Sequence, residues 1–200
     1  KITKYLKKNK CDYIFISAPE NVAWTLNIRG KDGPNSPIPN SRLIVSKSKK
    51  ILLISNLKKC KQILKNRIIK KNEFSDVNSL PGKIVHMKGK NFIVDDKSCS
   101  IFYENLIKSK FKIIKREDPI YLLKAIKNNK EIKNMINAHI LDGVALTKFL
   151  FWIKKINKKK ITEVEAAKKL ENFRKLNKSF LYPSFDTIAG SGKNGAIVHY

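Results

Sequence analysis

The chain has 200 residues, enough for one ordinary domain or two small ones, and its 42% hydrophobic and 9% aromatic content fits a packed protein and excludes a disordered one. A formal net charge of +27 arises from 38 Lys and only 5 Arg against 16 acidic residues. Nucleic-acid readers favour Arg for bidentate contacts and cluster their charge. Here Lys is spread from Lys1 to Lys193 beside abundant Asn and Ile, whose codons are also A/T-rich, so base composition accounts for the bias and no nucleic-acid partner is expected.

The first residues, Lys1 to Lys8, are basic but have neither the apolar stretch nor the small-residue cleavage site of a secretory signal. They also lack an initiator Met, which leads us to expect a fragment of a longer protein. Tyr13-Ile14-Phe15-Ile16 is a short apolar run of the buried-strand type. Pro19 then stands where a first helical turn tolerates it, ahead of Val22-Ala23-Trp24 and Leu26. The Gly- and Pro-rich stretch from Arg29 to Pro39 is a loop. Leu43 to Val45 and Ile51 to Ile54 read as paired strands, and Leu57 to Asn66 as a helix with Cys60, Ile63 and Leu64 on one face. Ile84-Val85, Phe92 to Val94 and Phe111 to Ile114 are further strand candidates, with a helix around Cys99 to Ser109. Strands alternating with helices predict an α/β domain with a mixed sheet over residues 1–117.

The texture changes at Glu117-Asp118-Pro119, where Asp118 reads as a hinge and N-cap. From 118 onward the pattern is helical. Ile132, Met135, Ile136, His139, Ile140, Leu146, Phe149, Leu150 and Ile153 recur at three- and four-residue steps, predicting an amphipathic helix that packs on a sheet. No run reaches the roughly 18 uncharged apolar residues of a membrane span, Lys148 breaking the oiliest one, so no membrane partner is expected. The dense run Lys154 to Lys160 reads as a solvated turn, and Thr162-Glu163-Val164-Glu165 as the capping box of a second helix reaching Leu176. Ser184 to Ser191 and Ala196 to Tyr200 then read as strands joined by Gly192-Lys193-Asn194-Gly195. The region 118–200 is thus the start of an α+β domain that ends on a strand-like run. Cys11, Cys60 and Cys99 are odd in number and widely spaced, which predicts reduced thiols in a cytoplasmic protein.

Residue chemistry alone offers few site candidates. Gly190-Ser191-Gly192 lacks the spacing and the following helix of a phosphate loop. His139 and Asp142 stand at helical spacing for an acid–base pair, but a hydrogen-bonded packing histidine is the expected role. His86 reads as a surface residue on a strand. Arg29 and Asp32 flank a loop that they would lock. His199, beside Tyr200 after a Gly-rich turn, reads equally as a core or a site residue. No His-Glu-x-x-His or Asp/His cluster of metal-ligand type occurs.

The second half carries a family resemblance. Asp118-Pro119-Ile120, Lys124 to Asn128, Glu131-Ile132, Ala138-His139, Asp142 to Leu146 and Phe149-Leu150 with Trp152, followed by Thr162-Glu163, Lys169-Leu170-Glu171 and Arg174, resemble the entry to the catalytic domain of aminopeptidase P. Ser184 to Tyr200 is similar to the stretch leading to the first active-site histidine of the pita-bread metallopeptidases. Val22-Ala23-Trp24, Leu26 to Gly30, Asp32 and Pro37 resemble the creatinase N-terminal-like middle domain of the three-domain aminopeptidase P branch, whereas residues 55–110 match only in texture. The resemblance implies a middle domain at 1–117 and the N-terminal part of a pita-bread catalytic domain at 118–200. It implies a cytoplasmic homodimer that removes an N-terminal residue from peptides with proline at the second position.

The same resemblance implies two divalent metals, usually manganese, that activate a bridging water. Their ligands would all lie after the His-Tyr motif, so this stretch is expected to bind no metal and to be inactive alone. His199 alone carries over as an active-site position, a substrate-binding histidine that helps place protons. The arginine that reaches substrate in the three-domain branch comes from a preceding domain and is not Arg29. A prolidase-type dipeptidase and a metal-free peptide- or histone-binding module are the alternatives.

Overall fold

Tyr13–Ile16 (β1), Arg42–Ser46 (β2), Ile51–Ser55 (β3), Phe74–Asp76 (β4), Asn91–Val94 (β5) and Lys112–Lys115 (β6) form one sheet in the order β4-β3-β2-β1-β5-β6. The β1–β2 and β2–β3 pairs are antiparallel, and the remaining neighbours are parallel. The central strands are apolar at nearly every position because both faces are covered. Alternate residues point to opposite sides. Ile14, Ile16, Leu43, Val45, Leu53 and Ile93 enter one core cluster, and Phe15, Ile44, Ile54, Phe92 and Val94 enter another.

Helices close each face. Leu6 from Ile2–Lys8 (α1), Val22 from Pro19–Leu26 (α2), Cys60 from Leu57–Lys65 (α3) and Ile120 from Ile120–Ala125 (α6) join the first cluster. Leu80 and Ile84 from Leu80–His86 (α4) and Ile107 from Ile101–Lys108 (α5) join the second. The result is the mixed-sheet α/β layer arrangement that the strand–helix alternation predicts. Three details differ from the sequence reading. Ile84-Val85 lies in α4 rather than in a strand, because Leu80 and Ile84, one turn apart, bury one side of a helix that Pro81 helps to start. The three-residue β4 and the N-terminal α1 were not anticipated, each being too short to show a period.

The structure is a computed structural model that describes residues 1–156 and 160–197. The chain divides into two compact units, Lys1–Ile126 and Lys127–Tyr200. The division comes later than the change of texture at Glu117. Residues 118–125 pack with the first unit, where Ile120 is fully buried and Asp118 is 2% exposed.

In the second unit Asn129–Lys155 (α7) packs against Glu163–Lys175 (α8). Both begin at capping boxes. The Asn128 side chain accepts from the Lys130 and Glu131 amides at 3.0 Å, and Glu131 returns a contact to the Asn128 amide at 2.8 Å. Thr162 and Glu165 do the same for α8. Of the described residues of α7 only Ala145 is buried, and Ile136, Ile140, Val144 and Phe151 are at least half exposed. By length and by a best-window mean hydropathy of 1.2, α7 meets the minimum for a membrane span. Asp142 and Lys148, however, sit inside it.

The expected strands at 184–191 and 196–200 are not seen: residues 184–197 contain only a 3-10 turn, Gly192–Ala196, and residues 198–200 lie outside the described residues. A strand needs a neighbour for its backbone groups, and among the described residues the second unit offers none. The expected Lys-rich turn also falls partly outside, since Lys154 and Lys155 close α7 and residues 157–159 are not described.

Candidate functional site

After α8 the chain passes along that helix from end to end. At its C-terminal part, Arg174 binds Asp142 of α7 through two contacts, Nε to Oδ1 at 2.6 Å and Nη2 to Oδ2 at 3.1 Å. The guanidinium fork matches a carboxylate in this bidentate geometry and ties the two helices together. Arg174 accordingly holds the Asp142 carboxyl below the usual carboxylate range. Two cavities of 430 and 460 Å³ share Asp142, Arg174 and Phe180 in their walls, and the second is completed by Tyr182, Phe185 and Ile188. At the other end of α8 the Glu163 carboxylate accepts from the Ser191 backbone amide and from the Asn194 side-chain amide, at 3.3 and 3.2 Å from the latter.

The sequence candidates are not brought together. His139 is exposed and its Nδ1 lies 2.9 Å from the Met135 carbonyl one turn back, while the Asp142 carboxylate is taken by Arg174. That contact is the hydrogen-bonded histidine expected, though the residue is not packed in a core. His86 is exposed in the last turn of α4, not on a strand. His199, the expected substrate-pocket residue, lies outside the described residues.

In the first unit the Arg29 loop is locked as anticipated, but by a different pair. Asp32 forms an ion pair with Lys59 of α3 and accepts from the Asn40 amide at 2.7 Å. These contacts pull its carboxyl down, the Lys59 hydrogen bond foremost. Arg29 instead donates to the Ile28 carbonyl at 2.9 Å. Gly30 is required here, since a Cβ would stand 2.6 Å from Pro39 Cα.

Sequence reasoning missed a buried polar network at the C-terminal ends of β1 and β5. Asn21, fully buried on α2, donates to Asp118 Oδ2 at 2.8 Å and accepts from Lys124 Nζ at 2.7 Å. Asp118 Oδ1 accepts from the Ile120 amide at 2.9 Å, and its own amide donates to Asp95 Oδ2 at 3.2 Å. Burial pushes the Asp118 carboxyl up, opposed by the Ile120 and Asn21 hydrogen bonds and reinforced by Asp95. Asp118 is neither the expected hinge nor the N-cap, since it is buried within the first unit and the cap position of α6 is Pro119; its long-range partner Asn21, 97 positions away, left no local trace.

Among the described residues no group of three or more His, Cys, Asp or Glu side chains is placed to hold a metal ion. The described residues therefore do not fit a metal centre, and no chemical step is assigned to one.

Comparison with known families decides the identity of the chain. The Creatinase/Prolidase N-terminal domain model matches residues 1–131. The chain belongs to this family. The model of Metallopeptidase family M24 takes over at 133 and matches to residue 200. The change between the creatinase/prolidase domain and the metallopeptidase match falls in the first turn of α7, close to the break in compactness after Ile126. Among curated relatives, Xaa-Pro aminopeptidase ApepP of Drosophila melanogaster is 32% identical across all of this chain and 33% of its own length. Xaa-Pro aminopeptidase 1 of Dictyostelium discoideum is 35% identical across all of this chain and 32% of its own. The chain thus spans about a third of the length of these relatives. Among solved structures, an X-prolyl aminopeptidase from Caenorhabditis elegans, described as a cytosolic enzyme with a di-nuclear active site, superposes with a TM-score of 0.77 at 26% identity, covering 94% of this chain and 32% of that one.

Proposed function

We propose that this chain forms the creatinase-like domain and the opening of the catalytic domain of a Xaa-Pro aminopeptidase, which hydrolyses the bond between an N-terminal residue and a following proline. The observation that carries the reading is similarity along the whole chain, at 32 and 35% identity, to two proteins named for that activity. The C. elegans structure supports a dinuclear centre and a cytosolic setting for the whole protein. In our reading the centre holds two divalent metals, manganese in the first instance, on residues beyond this chain. Such a pair would supply Lewis-acid activation of water in the full-length protein. His199 would line the substrate pocket, binding the peptide and placing protons. A homodimer through the catalytic domain completes the proposal.

The same reading accounts for the bare side of α7. A long helix with Ile136, Ile140, Val144 and Phe151 open to solvent is costly on its own. We assign that side to burial by the remainder of the catalytic domain rather than by lipid, since the Asp142–Arg174 pair commits the middle of α7 to a polar partner.

Substrate length separates the proposal from its neighbour. The full-length gene product is expected to release the first residue from tripeptides and longer peptides with proline second. Cleavage confined to Xaa-Pro dipeptides would identify a dipeptidase instead.

A further inference from the structure

The first unit leaves part of its sheet uncovered. A cleft of 550 Å³ lies between the β2–β3 hairpin and α4, within the range of about 300–1,000 Å³ that small-molecule sites occupy. Its floor is the cross-strand pair Ile44 and Leu52, and alternation puts Ser46 and Lys50 on the same side of the sheet, toward the hairpin tip. Its wall is one stripe of α4, in which Ser79, Gly82, Lys83 and His86 stand at i, i+3, i+4 and i+7. Leu80 and Ile84, in the second core cluster, hold α4 on the sheet. Gly82 beside them has no side chain to close the gap, and a Cβ there would meet nothing within 4 Å. Both borders are tied down. Ser46 Oγ accepts from the Lys50 amide at 2.9 Å across the hairpin turn, and Tyr13 Oη donates to the Lys88 carbonyl at 2.7 Å just past α4.

Charge decides what such a cleft suits. Lys50 comes from the sheet side and Lys83 from the helix, and His86 adds a ring N–H donor; among the described residues that line the cleft there is no Asp or Glu. The Lys83 ammonium donates to the Phe74 carbonyl, a neutral acceptor that leaves its charge uncompensated. An amine would find no counter-charge here, and a free amino acid would leave its ammonium unpaired. We propose that the cleft binds a small amphipathic carboxylate, with the apolar chain on Ile44 and Leu52 and the anionic end at Lys50 and Lys83. A medium-chain fatty acid is the plainest ligand of that chemistry. The inference goes beyond the aminopeptidase reading and does not rest on it, since every residue it uses belongs to the first unit.

The test is calorimetric titration of the full-length protein with octanoate, hexanoate, octanol and octylamine at one pH and ionic strength. Octanoate is expected to bind at a single site. Hexanoate is expected to bind about tenfold more weakly for the two methylenes lost, and octanol about tenfold more weakly for the lost charge. Octylamine is expected not to bind. Gly82→Leu fills the cleft and replaces glycine by a better helix former, so it is expected to abolish octanoate binding while urea melts show the fold retained. Lys50→Glu, at an exposed position, is expected to weaken octanoate about tenfold and to leave octanol unchanged; it decides alone if Gly82→Leu fails to fold. No binding of octanoate, equal affinity for octanol or octylamine, or octanoate affinity untouched by the variants would overturn the proposal. Cleavage of an Xaa-Pro peptide by the same samples keeps the two readings apart, because its absence would sink the aminopeptidase reading and leave the carboxylate site standing.

Discussion

At the scale of single residues, two buried or half-buried carboxylates are used in opposite ways. Asp12 accepts from the Lys90 and Asn91 amides at 2.8 and 3.1 Å and pairs with Lys47 at 2.6 Å, joining the start of β5 to the β2–β3 turn. Lys47 first, and then the two amides, hold its carboxyl at about 2. A carboxyl depressed in the fold adds stability that is complete above the ordinary carboxylate value and is lost as pH falls through about 2. Asp12→Asn is therefore expected to flatten the acid limb of a stability–pH curve between about pH 4 and 2; an unchanged limb in urea melts would show that Asp12 is not the group responsible. Asp118 is displaced upward by burial, so its ionisation works against the fold as pH rises, and its value lies in hydrogen bonding. Asp118→Ala leaves the Ile120 amide and the fully buried Asn21 side chain without their acceptor, which is expected to cost about 1–3 kcal/mol in urea unfolding of the 200-residue chain. A loss within about 0.5 kcal/mol, the range of ordinary surface changes, would contradict the network. Neither arrangement was visible in the sequence, because each joins residues far apart along the chain. The loop lock at Asp32 was visible, although its partner proved to be Lys59 of α3 rather than Arg29.

At the scale of elements, legibility followed length and local chemistry. The strands Tyr13–Ile16 and Asn91–Val94 and the capping box at Thr162 could be read directly, since a wholly apolar run and a Thr-x-x-Glu spacing each carry their own physical cause. Ile84-Val85 misled because two adjacent β-branched residues resemble a strand fragment, while the Leu80–Ile84 spacing that makes α4 buries only one side of the helix. The strands expected around Asn194 depended on partners that local sequence does not contain. α7 poses the sharpest question at this scale. Its periodicity was legible, but the sheet it should meet is not among the described residues of its unit. Covering one Ile with apolar neighbours is worth about 1.5–3 kcal/mol, so Ile140→Ser is expected to destabilise the full-length protein by about that amount and the 200-residue chain by much less. Equal effects on the two, measured in parallel urea melts, would mean that the rest of the protein leaves this side of α7 uncovered. Glu163 shows the complementary case, since its place in the first turn of α8 already had an ordinary explanation and its reach to Ser191 appears only in three dimensions.

At the scale of the whole molecule, composition proved the least informative signal and motif-level resemblance the most. The charge of +27 invites a polyanion partner, whereas the family match and the shared fold are what the peptidase proposal is built on. The division into a creatinase-like unit and the opening of a metallopeptidase unit agrees with a protein whose relatives are about three times as long. On the proposed reading the chain supplies the frame, namely the sheet domain and the α7–α8 pair joined by Asp142 and Arg174, and the metals would be held by residues elsewhere in the full-length protein. The most direct test is cleavage of a tripeptide with proline second by the full-length gene product before and after chelation, followed by readdition of manganese. The account predicts release of the N-terminal residue that chelation abolishes and manganese restores. Absence of cleavage, or cleavage untouched by complete removal of the metals, would contradict it.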